Sequence, residues 1–391
     1  MRVCHAFLFF SIKYAGGTCD LMYKLCKAQA KIGIQPVVYT GDHHFDAELA
    51  DSLPGTEFRV LKSYFDKSGF SIMPGLASML RHEIATFDIV HMHVFRTFQN
   101  YMFYRFCQRN NVPYVIDAHG AVPYYTRKVC LKKWYDGRVG RRMLEDACRL
   151  VAESKVGVHE YLDIHPKLRQ DRIEIISPPF DTEEYRTLPQ RGFFRNEWRV
   201  SEEHIIMFLG RLHHIKGLDF LIEGFAELLK RRQDVRLMLV GPNDGFQETL
   251  VLLAKKLGVT EKVTFTGFLY AEQKLSALVD ADIVIQVSRQ EQGAWAPFEA
   301  VLAGTPIIVS AHTGAGEDVR RVDAGYLVDF GNHRGLADQI EFILENYQEA
   351  KQKTLTAKRF IEDNLSMDAR VNEYTELYQQ CIDHGKAGLP Q

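Results

Sequence analysis

No apolar run in the 391-residue chain reaches the roughly 20 residues needed to cross a bilayer. The opening MRVCHAFLFFSI is apolar but meets Lys13 at once, and the KYAGGTCD that follows is a poor cleavage site, so the stretch reads as a first buried strand and not as a secretory signal. CxxC spacing is missing too. The seven cysteines are scattered at 4, 19, 26, 107, 130, 148 and 381, a pattern that supports neither a disulfide framework nor a structural zinc site and suits a reducing cytoplasm. There is no internal repeat or low-complexity tract, and the net charge is only −2; no nucleic-acid partner is expected.

What is present is an ordinary globular composition, 46% hydrophobic and 25% charged, on a chain long enough for two domains with a core each. The small net charge hides an asymmetry: residues 1 to 187 carry +4 and residues 188 to 391 carry −6. The basic excess concentrates in RKVCLKKWYDGRVGRR (127–142), seven basic residues and one acid with Trp134 and Tyr135 among them. A solvated helix face accounts for such a run; so does a patch for an anionic acceptor or a membrane surface, because basic and aromatic side chains together suit the interfacial region.

Strand-like runs alternate with amphipathic helical runs from end to end, which predicts parallel sheets covered by helices. RVCHAFLFF, QPVVYT, TEFRVLK, FDIVHMHV, PYVIDA, RLVAES and RIEIIS are the candidate strands of the first half, with helices at 17–31 and 97–110 among them. The Pro- and charge-rich stretch near 178–203 breaks the pattern and is expected to be a linker. A second alternating series follows it, in which Leu218, Leu221, Ile222, Phe225, Leu228 and Leu229 share one helical face. The expected fold is therefore α/β, two tandem Rossmann-like doubly wound domains at 1–187 and 188–365. In such sheets ligands sit at the carboxyl ends of the strands.

Residues of interest fall just there. FLGRLHHIKGLDF ends a strand at Gly210, then places Arg211 in the loop and Lys216 before a helix start, an arrangement suited to a diphosphate but not a Walker A loop. SRQEQGAWAPFEAVLAG sets Pro297 at an expected first helical position, which puts Glu299 in the first turn. A carboxylate there either answers the helix dipole or accepts from both hydroxyls of a ribose. Glu291, with the open backbone of Gln292, Gly293 and Ala294, could meet a second polyhydroxyl group. Gly16 and Gly17 follow the first strand, and Asp117, His119 and Gly120 follow another. Three other signals are set aside: the DAD at 280–282 lies at a strand's amino end, His91 and His93 alternate with no third ligand in view, and GAGEDV at 314–319 lacks the third glycine of a dinucleotide fingerprint.

Taken in order, Gly16–Gly17, His119, the GRLxxxKG string at 210–217 and the E-x7-E pair Glu291 and Glu299 followed by AVLAGTPIIVS resemble the retaining GT-B glycosyltransferases of family 4. The resemblance implies two Rossmann-like domains facing a central cleft: an N-terminal acceptor domain, rejoined by a C-terminal helix at 366–391, and a C-terminal domain that binds a nucleotide-sugar donor. It implies that Glu299 holds the ribose, that Glu291 sits at the donor sugar, that Arg211 and Lys216 lie on the diphosphate, and that His119 approaches the reacting sugar. Gly241 and Phe268 would border the base. No metal ion or other cofactor is expected; the partners expected are a nucleotide-diphosphate sugar and a glycan or lipid-linked acceptor, with peripheral contact to the inner face of the cell membrane through 127–142. The chain departs from the family pattern at SPPFD (177–181) and at GAW (293–295), where Trp295 is bulky beside the sugar pocket. A UDP-sugar 2-epimerase of the same fold and a nucleotide-sugar-binding pseudoenzyme are the competing readings.

Overall fold

The computed structural model describes residues 1–67, 70–124, 128–177, 179–293 and 295–386. The chain divides into two compact units, Met1–Pro179 with Met367–Gln391, and Phe180–Ser366. Each is built on its own parallel sheet.

The sheet of the first unit runs Glu57–Leu61, Gln35–Gly41, Arg2–Ala6, Ile89–His93, Tyr114–Asp117, Arg149–Ala152, Ile173–Ile175. Its central strands are buried on both faces, as parallel strands covered by helices must be, and so they read as nearly continuous apolar runs. Histidine interrupts the runs. His5 pairs in register with His91, and His93 follows two residues on, so all three project from one face of the sheet. The helices Gly17–Lys31 and Met367–Lys386 pack together, and Tyr374 and Tyr378 of the latter reach the His91 ring.

In the second unit the order is Val263–Gly267, Val235–Val240, His204–Leu209, Ile283–Gln286, Ile307–Ser310, Tyr326–Val328. The chain winds outward from His204–Leu209 in one direction and then returns to its other side at Ile283–Gln286. The gap between those two neighbours is the topological switch point, where the carboxyl ends of the strands leave a crevice. The predicted apolar stripe of helix Leu218–Leu229 is buried, and that helix packs on His333–Glu345.

Within the second unit the structure departs from the sequence-based reading in three places. The stretch expected to be a linker belongs to the core of the second unit: Phe180, Tyr185 and Phe194 are buried there, Asp280 accepts from the backbone N–H groups of Gly192 and Arg195, and Asp282 accepts from that of Ile205. Their aromatic side chains decide this, although Pro and charge dominate the composition. Helix Tyr347–Asn364 was not anticipated; it buries only Ala350, Thr354, Ala357 and Ile361, too narrow a stripe to stand out. The helix after the E-x7-E loop is Trp295–Leu302, which makes Pro297 its third residue and carries Glu299 past the first turn. Proline is tolerated there because N–H groups of a first turn have no intrahelical acceptor.

Candidate active site

Three glycines draw the loops of the second unit together. Gly210, Gly217 and Gly241 have φ of 152°, 67° and 140°. A Cβ on Gly241 would lie 1.9 Å from the carbonyl oxygen of Gly210, and one on Gly217 would lie 2.0 Å from that of Val287. Only a residue without a side chain lets these backbones approach so closely.

That approach brings Lys216 to Glu291. Lys216 Nζ donates to Glu291 Oε2 at 2.5 Å, and the same oxygen accepts from Gln286 Nε2 at 2.6 Å and from Ser288 Oγ at 3.2 Å. The Glu291 carbonyl accepts from the Gly314 N–H at 2.7 Å, which ties the loop to the start of helix Gly314–Val322. Both side chains of the ion pair are mostly shielded, so the charge-assisted contact is stronger than a surface pair. Arg289 braces the Lys216 turn from below: it forms two hydrogen bonds to Asp219, 2.8 and 2.6 Å, and donates to the His214 carbonyl at 2.8 Å.

Arg211 and Glu299 pair with other residues. Arg211 reaches outward to Asp244 at 2.5 Å with more than half of its side chain exposed. Glu299 accepts from Lys274 Nζ at 2.9 Å. Phe268 is exposed and stacks on Tyr270, while Gln292 and Gly293 are buried. Ala294 lies outside the described residues. The Trp295 ring turns toward its own core, 5.9 Å from Phe180, so its bulk is absorbed by packing.

In the first unit, Gly16 takes φ 60° between the short helix Ile12–Ala15 and Gly17–Lys31, a turn of helix the sequence reading had not placed there; open space surrounds the Cβ position of both glycines. His119 follows strand Tyr114–Asp117 with φ 46° and is directed inward. Its Nδ1 is 3.2 Å from Asp117 Oδ1 and 3.8 Å from Glu153 Oε1, and its Nε2 is 3.0 Å from His93 Nδ1. Burial opposes a charge on His119, yet the Asp117 and Glu153 carboxylates raise its pKa above the ordinary histidine value. Burial also pushes Asp117 up to about 6, His119 opposing and Glu153 adding to the rise. His5 is held down at about 4 by burial, and burial holds His91 and His93 well below the usual value.

Among the described residues, two groups of three bring ligand-type atoms within 4.8 Å of one another, His5 with His91 and His93, and Glu203 with His204 and Asp234. Neither contains a predicted site residue. Sequence reasoning missed Lys274, Gln286 and Asp244, none of which stands in a motif, and gave no role to Arg289, which stands in the SRQEQ run two residues before Glu291. It set His93 aside for want of a third ligand, although the H-x-H alternation did mark an inward-facing pair.

Two family models match, "Glycosyltransferase Family 4" over residues 15–184 and "Glycosyl transferases group 1" over residues 190–380. The chain belongs to glycosyltransferase family 4. It is an enzyme of the GT-B fold that transfers glycosyl groups. This glycosyltransferase is 26% identical over 351 residues to the D-inositol 3-phosphate glycosyltransferase of Mycolicibacterium smegmatis, a match spanning 85% of this chain and 79% of that protein. It is also 26% identical to an uncharacterized glycosyltransferase of Methanocaldococcus jannaschii, over 61% of each chain, and so spans less than two thirds of that relative. Among solved structures, Anabaena HepE in complex with UDP and glucose superposes with a TM-score of 0.80 at 18% identity, covering 97% of this chain and 99% of that one. WaaG, a glycosyltransferase involved in lipopolysaccharide biosynthesis, gives 0.71 at 16% identity over 97% and 99%. No described helix is long and apolar enough to cross a membrane.

Proposed function

We propose that this glycosyltransferase moves a sugar from a nucleotide-diphosphate donor to a glycan or lipid-linked acceptor with retention of configuration. The unit Phe180–Ser366 binds the donor, and Met1–Pro179 with the C-terminal helix binds the acceptor. One observation carries the reading: at the switch point, Glu291 is held by Lys216, Gln286 and Ser288 on a single oxygen, which leaves Oε1 to accept from a sugar hydroxyl. HepE, which shares the fold, was solved with UDP and glucose, and this favours a donor of the same class.

In this reading Lys216 turns from Glu291 to the leaving diphosphate when donor binds, and Arg211 leaves Asp244 to join it. Glycosyl transfer builds negative charge on the leaving group as the sugar gains oxocarbenium character. Once on the diphosphate, the two cations stabilise the first. Glu299, steadied by Lys274, accepts from the ribose hydroxyls. His119 serves the reacting sugar. Product analysis tests the proposal: the anomeric proton couplings of the product, read by NMR, should show the donor's configuration, whereas inverted product would refute retention.

Anionic membrane contact through 127–142 belongs to the same proposal. Arg127 lies outside the described residues, but from 128 onward the segment exposes Leu131 and Trp134 beside Lys133, Arg138, Arg141 and Arg142, while Met143 and Leu144 face the core. A face of this kind suits an anionic interface.

A further inference from the structure

A line of hydrogen bonds runs from His119 through the interior of the first unit. His119 Nε2 lies 3.0 Å from His93 Nδ1, His93 Nε2 lies 3.1 Å from His5 Nδ1, and His5 Nε2 lies 2.8 Å from Gln29 Oε1. The Gln29 amide nitrogen faces the Tyr378 hydroxyl at 3.5 Å, which meets His91 Nδ1 at 2.7 Å. His5, His93 and Gln29 are buried almost completely.

Such a line has a direction. A carbonyl oxygen can only accept, so at Gln29 the proton must come from His5 Nε2. A neutral His5 then has a bare Nδ1, which obliges His93 to donate from Nε2. By the same step His93 Nδ1 is bare and His119 must donate from its own Nε2. On its other side His119 Nδ1 faces Asp117 Oδ1 at 3.2 Å, an acceptor as well. Both ring nitrogens of His119 therefore carry protons. We infer that His93, His5 and Gln29 form a one-way hydrogen-bond file that holds His119 as an imidazolium, and that His93 is a positioning residue for it.

The titratable groups around His119 agree. Among the described residues, Asp117 and Glu153 supply two carboxylates and His93 a neutral ring; Tyr374, from the C-terminal helix, lies 3.5 Å from Asp117 Oδ2, and Tyr161 donates to the Val151 carbonyl and accepts from the Ala118 N–H. The alternative, a metal ion among His5, His91 and His93, would have to displace the His93-to-His5 hydrogen bond that already satisfies both atoms. The use of this arrangement rests on the proposed function: with both ring nitrogens engaged by His93 and Asp117, His119 is held in one orientation where it meets the reacting sugar.

Nitrogen-15 NMR of the full chain labelled at histidine tests the inference with no donor present, so its outcome is independent of the donor assignment. At pH 7 the expected spectrum shows His119 protonated on both nitrogens and His93 and His5 neutral with the proton on Nε2. His93→Leu should lower the proton affinity of His119 at least tenfold, and His93→Gln, whose carbonyl oxygen can still accept, should restore it. A neutral His119 at pH 7, or Nδ1 protons on His93 or His5, would overturn the inference even if neither variant folds; so would an unchanged His119 titration in a folded His93→Leu protein.

Discussion

Gly217→Ala offers a sharp test of how the Lys216 loop is built. The backbone there sits at φ 67°, which costs a residue with a side chain about 1–2 kcal/mol. The added Cβ would also lie 2.0 Å from the Val287 carbonyl oxygen and 3.0 Å from the Phe330 ring. Backbone cannot yield as a flexible side chain does, so the loop or the end of strand Ile283–Gln286 must shift by about 1 Å or more, which adds roughly 1–3 kcal/mol of overpacking. The total, about 2–5 kcal/mol, corresponds to a fall of roughly 4–20 °C in the melting temperature of a unit this size. Gly258→Ala is the matched control: φ is 71°, but no atom lies within 4 Å of its Cβ. It should lose only the φ cost, roughly 2–8 °C. Differential scanning calorimetry of both variants decides the matter. Equal losses would show that the close approach to Val287 is not what the glycine is for.

Other outcomes follow from the same structure. Glu299→Ala should weaken donor binding at least tenfold by calorimetry, and Lys274→Ala, which only frees the carboxylate, by about twofold to fivefold, since each loses hydrogen bonds of about 0.5–1.5 kcal/mol. The first unit should lose stability as pH falls from about 6.5 to 4: His5, His91 and His93 have depressed pKa values in the fold, so the unfolded chain binds more protons in that window. Asp117, raised to about 6, works in the opposite sense with one proton against three, which leaves a net slope of up to about 3 kcal/mol per pH unit. Urea unfolding at a series of pH values would show it; a flat profile would mean that these histidines are not buried neutral. Charge reversal at Lys132 and Lys133 should reduce co-sedimentation with vesicles rich in anionic lipid, and unchanged sedimentation removes the membrane contact.

The alternating pattern made the fold legible because buried parallel strands and amphipathic helices have different periods, and the apolar stripe of helix Leu218–Leu229 shows the rule working. The same logic failed at helix Tyr347–Asn364, whose outer faces are polar nearly all round, and at 180–200, where a few aromatic anchors outweigh a composition typical of loops. At the site, Lys216 and Glu291 were legible because each stands in a spaced motif, and the structure joins them across 75 positions. Lys274, Gln286 and Asp244 were not legible. Each is placed by tertiary packing, on a helix, at a strand end and in a loop, with no local spacing to mark it. The file behind His119 depends on register between strands distant in sequence, which a single sequence carries only as alternation.

The central claim is that the second unit grips a nucleotide-diphosphate sugar through Lys216, Glu291 and Glu299. Titration calorimetry of the purified chain with UDP-, GDP- and ADP-sugars tests it most directly, with Lys216→Ala and Glu299→Ala alongside. One nucleotide class should bind, and each substitution should weaken that binding at least tenfold. Absence of binding by every donor, or equal affinity in both variants and the parent, would contradict the account.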